Sequence, residues 1–119
     1  MSTNVYWILE LTIKTGEFEK FQDLMTEMVA STETNEPNTL NYEWTLSNDN
    51  KTCFIYERYT DSEAVLTHLG AFGEKFAERF MAILDATRFV VYGNPSEQVR
   101  EALSGFKPIF MSPAGGFAR

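Results

Sequence analysis

The fold is decided by residues 39–60, whose sequence is TLNYEWTLSNDNKTCFIYERYT. Both arms of this stretch alternate in period two and contain aromatic and branched side chains, a pattern typical of β-strands. The polar run 47–51 between them is rich in residues that favour turns. With a two-residue turn at Asp49–Asn50, we predict a hairpin in which one mostly apolar face is built from facing pairs: Leu46–Cys53, Trp44–Ile55, Tyr42–Glu57 and Leu40–Tyr59.

A strand and a helix are predicted before this hairpin. Residues 5–14 alternate in the same way and predict the first strand. From Phe18 to Val29, apolar side chains recur at steps of three and four residues. That spacing predicts an amphipathic helix, with Thr15 as a possible cap and an end near Thr32.

A second helix and a fourth strand are predicted after the hairpin. The sequence Thr60-Asp61-Ser62-Glu63 has the form of a capping box. The apolar stripe that follows predicts a helix as far as Ile83, and Gly70 and Gly73 weaken its middle, so we expect a kink or break there. Residues 87–92 predict the fourth strand.

This order of elements predicts an α+β, ferredoxin-like fold, in which a four-stranded antiparallel sheet carries two main helices on one face. We expect residues 1–119 to form a single domain. Within it, residues 95–119 add a short helix and an apolar C-terminal tail that should dock on its own sheet or on a neighbour. Pro108 and Pro113 favour an extended course at a sheet edge for this tail.

The sheet face that points away from the helices is expected to be apolar. Its members would be Tyr6, Ile8, Phe54, Tyr56, Val90 and Tyr92. A monomer rarely exposes so much apolar surface. We therefore predict a homodimer in which two sheets pack face to face and form an α+β barrel.

Composition and charge exclude several classes of function. Ten basic and seventeen acidic residues give a net charge of −7, which disfavours binding to nucleic acid or to anionic membranes. No apolar run approaches the ~20 residues that a membrane helix needs. The polar N-terminus shows no pattern of a signal peptide, so a cytoplasmic protein is expected.

Residues 54–64, FIYERYTDSEA, and the helix that follows as far as Phe72 resemble the antibiotic biosynthesis monooxygenase family, which are dimeric α+β barrel proteins. The resemblance rests on an aromatic-Tyr-Glu element ending at Glu57, an aromatic residue at Tyr59, an acidic Glu-Ala helix start, His68 and Phe72. It implies a small oxygenase that oxidises quinols or anthrone-like polycyclic aromatics with O2 and needs neither metal nor flavin. Such a protein would supply a dry aromatic pocket, a proton acceptor and groups that steady the substrate anion.

Two residues are candidates for catalysis. His68 lies at the edge of the apolar stripe of the second helix, and an imidazole titrates near neutrality, at ~6.5. It could transfer a proton, or it could be a partly buried histidine bonded to backbone or to a carboxylate. Glu57 shares a face with several aromatic side chains and could hold or take a proton. The alternative for Glu57 is an ion pair or a hydrogen bond to a tyrosine hydroxyl.

Other side chains are candidates for binding a substrate. The aromatic set exceeds what a small core requires and could hold a flat ligand between sheet and helices: Tyr59, Trp44, Tyr42, Phe72 and Trp7. Each of them could equally fill the core. Arg58 and Arg79 could steady an anion, or could pair on the surface with Glu43 or Glu78. Cys53 is expected to be a buried inert thiol, and the acidic residues around Glu33 and Glu36 a solvated face.

The leading functional hypothesis is a cofactor-independent monooxygenase acting on a phenolic or quinol substrate. One cysteine and one histidine exclude a multi-cysteine metal site and disfavour zinc, and the lack of a Gly-rich nucleotide loop agrees with the absence of any cofactor that the resemblance implies. The alternative is a non-catalytic dimer that binds a small aromatic ligand. Haem degradation is disfavoured, because residues 74–80 contain no histidine that could serve as an axial ligand.

Overall fold

The computed structural model describes residues 2–119. Five strands and four helices follow one another in this order: β1 (Val5–Ile13), α1 (Phe18–Asn35), β2 (Thr39–Leu46), β3 (Thr52–Tyr59), α2 (Ser62–Lys75), α3 (Ala77–Ile83), β4 (Leu84–Gly93), α4 (Glu97–Leu103) and β5 (Ile109–Met111). The strands form one sheet in the order β2-β3-β1-β4-β5. The α+β plan predicted from the sequence is therefore confirmed.

The fifth strand was not predicted and makes the sheet mixed. β5 pairs with β4 in parallel, so the expectation of a four-stranded, purely antiparallel sheet was wrong at this edge. The extended edge course of the tail is confirmed. A three-residue strand is too short to show period two, and it is anchored by packing instead, since the Arg100 guanidinium lies 4.7 Å from the centre of the Phe110 ring.

The hairpin register is almost as predicted. Leu46 lies opposite Cys53, Trp44 opposite Ile55 and Tyr42 opposite Glu57. The last predicted pair was wrong, because the register shifts between Thr39 and Asn41 and places Thr39 opposite Tyr59. Glu57 and Tyr59 nevertheless keep their alternation, and both are buried on the inner face of β3, towards the helices.

The second predicted helix is broken, but later than its glycines indicated. Helix α2 continues past Gly70 and Gly73 and ends at Lys75. The break lies at Phe76, whose backbone has φ −128° and ψ −19°. Helix α3 follows this break and buries Phe80 and Ile83. The break thus gives the inner face of the sheet a third helical neighbour.

The two faces of the sheet differ as the alternation predicts. On the inner face, all five odd-numbered residues of β1 are buried. On the outer face, Tyr6 is 36% and Phe54 41% exposed, and the Tyr6 and Tyr92 rings stack at 5.2 Å. Strand β5 adds Ile109 and Met111, both about half exposed, beside the same face. Large apolar side chains are therefore exposed on the side of the sheet without helices, where Val90 is buried among them and Glu10 pairs with Arg88. No helix among residues 2–119 is long and apolar enough to cross a membrane.

Gly93, at the end of β4, is a position where the backbone conformation and a close neighbour both favour glycine. Its φ of +107° is unfavourable for other residues, and an added Cβ would lie 2.6 Å from the carbonyl oxygen of Asn4. We predict that Gly93→Ala lowers the free energy of unfolding by ~2 kcal/mol or more.

The matched control is Gly70→Ala in α2, where an added Cβ meets nothing within 4 Å. This substitution should raise the free energy of unfolding by up to ~1 kcal/mol, because alanine favours helix. Urea unfolding measures both variants. Equal effects of the two substitutions would contradict the role assigned to Gly93.

Candidate active site

A cavity lies between the inner face of the sheet and the helices. Most of its wall is apolar, and the strands and the helices both contribute to it. The apolar residues of the wall include Leu9, Met28, Ile55, Phe80 and Phe89. Tyr42, Glu57 and His68 supply the ionisable groups, and none of the described residues that line it is a lysine or arginine. Its volume of about 40 Å³ leaves room for roughly three water molecules.

His68 connects two carboxyl groups that come from different elements. It lies in α2 and is only 6% exposed. Its Nδ1 is 2.8 Å from Oε1 of Glu36, which follows α1, and its Nε2 is 3.3 Å from Oε1 of Glu57 in β3. Both carboxyl groups are buried as well. Helix α2 is held in this position by a cap, since the Asp61 carboxylate accepts a hydrogen bond from the Ala64 amide.

The surroundings of His68 keep it charged at neutral pH. Burial by itself lowers the pKa of the imidazole, but hydrogen bonds to Glu36 and Glu57 and the negative charges of these groups raise that pKa to about 9. The Nδ1–H therefore donates to Oε1 of Glu36, and the Nε2–H lies in ion-pair contact with Oε1 of Glu57. With a proton on each ring nitrogen, the imidazole has no free lone pair with which to accept another proton.

Two tyrosines complete the polar cluster. The Tyr59 hydroxyl donates a hydrogen bond to Oε1 of Glu57. Burial, reinforced by the charge of Glu57, raises the pKa of Tyr59 well above its usual range, so its hydroxyl keeps its proton. The Tyr42 ring packs edge-on against His68 at 5.3 Å, and burial followed by the charge of Glu57 likewise raises the pKa of Tyr42.

The structure brings together five of the seven residues that the sequence suggested for catalysis or binding. These five line the cavity: Trp7, Tyr42, Glu57, His68 and Phe72. Tyr59 does not line it and lies behind Glu57. Trp44 packs between Phe21 and Phe80, with ring centroids 5.9 and 6.4 Å away.

The two arginines considered as anion ligands do not reach the cavity. Arg58 donates to the side-chain oxygen of Asn41 at 2.7 Å. Arg79 makes two hydrogen bonds to the carboxylate of Glu27, at 2.6 and 3.1 Å. Both arginines are therefore paired with polar side chains away from the cavity. Their partners are Asn41 and Glu27 instead of the predicted Glu43 and Glu78. Cys53 is buried as expected, and burial raises the pKa of its thiol to about 12.

Sequence reasoning missed Glu36. It was placed on a solvated acidic face, but the structure buries it to 7% exposure beside His68. The partner lies 32 residues further along the chain, so no local pattern could have revealed the contact. The sequence left open where the C-terminal segment docks, and the structure shows that it contributes Leu103 and Phe106 to the wall of the cavity.

Comparison with known proteins supports the same fold. The sequence model of the family described as "Antibiotic biosynthesis monooxygenase" matches residues 4–77. No curated protein matches the sequence.

Several solved structures are similar. MupZ from Pseudomonas fluorescens has a TM-score of 0.85 at 21% identity, over 99% of this chain and 96% of that chain. SnoaB, a cofactor-independent oxygenase from Streptomyces nogalater, has a TM-score of 0.65 at 15% identity, over 82% and 96%. PA3566 from Pseudomonas aeruginosa has a TM-score of 0.62 at 22% identity, over 76% and 91%. At these identities the similarity shows the fold alone.

The buried histidine predicts how stability depends on pH. Folding raises the pKa of His68 from ~6.5 to about 9, so the stabilisation is complete below pH ~6.5 and is lost as the pH rises through about 9. We expect the free energy of unfolding to fall by on the order of 3 kcal/mol across this interval. Urea unfolding at a series of pH values measures it.

The control is the triple variant His68→Gln, Glu36→Gln and Glu57→Gln, which removes the titrating imidazole together with the two carboxyl groups that would otherwise be buried without a counter-charge. Its free energy of unfolding should change much less over the same interval. A decline as steep as that of the wild type would contradict the assignment to His68.

Proposed function

Because this chain belongs to the antibiotic biosynthesis monooxygenase family, we propose that it is a cofactor-independent monooxygenase that oxidises an uncharged phenolic or quinol substrate with O2. One observation carries the proposal. A buried carboxylate, Glu57, faces an apolar cavity and is bonded on its other side to a charged imidazole and a tyrosine hydroxyl. Such a group can take a proton from a weakly acidic substrate in a site that excludes water.

The first step of the proposed reaction is removal of a proton. The substrate O–H bond breaks, its proton goes to the Glu57 carboxylate, and the electron pair stays on the substrate as an anion. The hydrogen bond from Tyr59 and the ion pair with His68 hold the Glu57 carboxylate in place for this transfer. Proton transfer by a positioned carboxylate typically accelerates a reaction ~10²–10⁴-fold.

The second step is transfer of electrons to O2. The imidazolium of His68 lines the cavity, and its positive charge favours the substrate anion in an apolar environment. The anion gives one electron to O2, and the two radicals combine to a peroxide. Loss of water from the peroxide leaves one oxygen atom in the product as a carbonyl, while the other leaves with two hydrogens from the substrate.

The residues that line the cavity favour a substrate that has a carbonyl oxygen and no net charge. No lysine or arginine lines it, so a carboxylate or phosphate group of a ligand would be buried without a full counter-charge. The indole N–H of Trp7 is buried and has no hydrogen-bond partner among the described residues. Since buried donors are nearly always satisfied, a carbonyl oxygen of the substrate could accept from Trp7.

The small volume implies that the wall moves when a ring system enters. Phe72 in α2 and Phe106 after α4 are partly buried and line the cavity. Phe106 belongs to the C-terminal segment and packs edge-on against Phe89 at 6.1 Å. Displacement of these two rings would open space without breaking the polar cluster.

A second candidate function is non-catalytic binding of a small aromatic ligand. It is favoured by the fact that both nitrogens of His68 are already bonded to carboxyl groups, as expected of a structural ion pair. Under this alternative the protein retains an aromatic compound without consuming O2.

Oxygen uptake with a panel of hydroquinones and anthrones distinguishes the two functions. We predict that Glu57→Gln lowers kcat/KM by ~10²–10⁴-fold, because it removes the proton acceptor and keeps the shape of the side chain. His68→Ala should also lose most of the activity. Glu33→Gln, an exposed residue near the end of α1, is the matched control and should leave the rate unchanged. Uptake that never exceeds the rate without protein, for any member of the panel, would refute the monooxygenase.

The outer face of the sheet supports a homodimer as the assembled form. Tyr6, Phe54, Ile109 and Met111 are exposed there in the single chain. A second copy of the same face would cover them, and its burial would remove an apolar surface that is unusual for a monomer.

Light scattering after size exclusion tests the dimer. We predict twice the mass of one chain at micromolar concentration for the wild type. Phe54→Lys should shift the protein towards monomer, because each chain would then bury a charge within an apolar interface. Glu33→Lys, on α1, is the control that should remain dimeric. A wild-type mass of one chain would exclude this assembly.

A further inference from the structure

Glu36 belongs to two different regions of the molecule. On one side its Oε1 is bonded to Nδ1 of His68, within the cluster that faces the cavity. On the other side Glu36 lines a separate cleft near the surface, together with Thr39, Glu63 and Thr67. Glu36 does not line the cavity itself. It therefore connects the cluster to a second opening.

The geometry of α2 separates the two openings. His68, Leu69 and Phe72 point from one face of the helix to the cavity, whereas Glu63 and Thr67 lie on another face and border the cleft. The His68 ring bridges the faces, with Nε2 towards Glu57 and Nδ1 towards Glu36. The His68 ring is thus in contact with a carboxyl group on each side, through a hydrogen bond to Glu36 and an ion pair with Glu57.

We propose that Glu36 is the outer end of a proton path that leads from the cavity through Glu57 and His68 to the cleft. The proposal rests on the proposed function only for the source of the proton, which is the substrate hydroxyl. The path itself is a property of the three side chains and operates with or without a substrate.

The transfer proceeds in three steps and moves no electrons. The substrate proton binds to Glu57 and neutralises the charge that held the Nε2 side of the imidazolium. The Nδ1–H bond of His68 then breaks, and its proton goes to the Glu36 carboxylate, which leaves a neutral imidazole with its proton on Nε2. The O–H bond of Glu36 finally breaks, and its proton goes to water in the cleft. The starting state returns when the peroxide intermediate loses water: Glu57 gives its proton to the leaving oxygen, and water in the cleft returns a proton through Glu36 to Nδ1 of His68.

The groups around His68 are arranged to favour this route. Tyr59 and Tyr42 pack against the ring from β3 and β2, and their hydroxyls keep their protons because burial raises the pKa of each. The Thr39 hydroxyl donates to Oε1 of Glu36 at 3.1 Å and keeps the carboxylate aimed at Nδ1. The two carboxylates are thus the groups beside His68 that can accept its protons.

His68 is the single histidine of the chain, so its ring protons can be observed without overlap. The experiment labels histidine with ¹⁵N and measures the exchange of both ring N–H protons with water by NMR, at a pH where the ring is fully protonated. In the wild type we expect the Nδ1–H to exchange faster than the Nε2–H, because Glu36 gives it a route to the cleft.

Glu36→Gln keeps the shape and a hydrogen-bond acceptor but cannot carry a proton. We expect it to slow exchange of the Nδ1–H by roughly a hundredfold, the loss of one general base, and to leave that of the Nε2–H unchanged. A purely structural role would alter both protons alike. Glu63→Gln, the exposed carboxylate of the cleft, is the matched control and should change neither.

Two outcomes would overturn the path. One is equal or faster exchange of the Nε2–H in the wild type, a measurement that does not depend on whether any variant folds. The other is an unchanged Nδ1–H rate in a folded Glu36→Gln protein. Failure of the proposed function gives a different result, namely absent oxygen uptake together with intact asymmetry between the two ring protons.

Discussion

The structure depends on one buried interaction, an imidazolium held between two carboxylates. Any one of these three charges would be costly to bury alone, because the protein interior solvates ions poorly. Together they satisfy one another at 2.8 and 3.3 Å. Since Glu36 follows α1, Glu57 lies in β3 and His68 in α2, the ion cluster ties the first helix and the second helix to the middle of the sheet. The same contacts that align these elements create a charged group at the wall of an apolar cavity.

The strand alternation explains why a carboxylate occupies an otherwise apolar face. Cys53, Ile55, Glu57 and Tyr59 share the inner face of β3 and are all buried. A shift of one residue would turn Glu57 to the outer face and Tyr56 to the cavity. The pairing of β3 with β1 continues without interruption along both strands and fixes this register from the side opposite the hairpin. Backbone pairing thus determines the chemistry available inside.

Much of the fold follows from periodicity, and the parts that do not have identifiable physical causes. Period two and helical spacing locate β1 to β4, α1 and α2, and they place Glu57 and His68 on faces that meet. They do not reveal Glu36, because its burial depends on a partner distant in the chain. They predict a helix break at Gly70 and Gly73, because glycine lowers helix propensity. The break lies at Phe76 instead, where the following helix buries Phe80 and Ile83. The cavity wall contributed by Leu103 and Phe106 depends on where the tail docks, and local sequence carries no information about that.

The C-terminal part of the cavity wall has an evolutionary consequence. Glu36, Glu57 and His68 all fall within residues 4–77, the portion that the family model matches, whereas Leu103 and Phe106 fall outside it. The ion cluster therefore lies wholly inside the matched stretch, whereas the apolar wall is divided between that stretch and the residues that follow it. A related protein with a longer or different C-terminal segment could therefore accept a ligand of another shape. Such a change would leave the ion cluster of Glu36, Glu57 and His68 as it is.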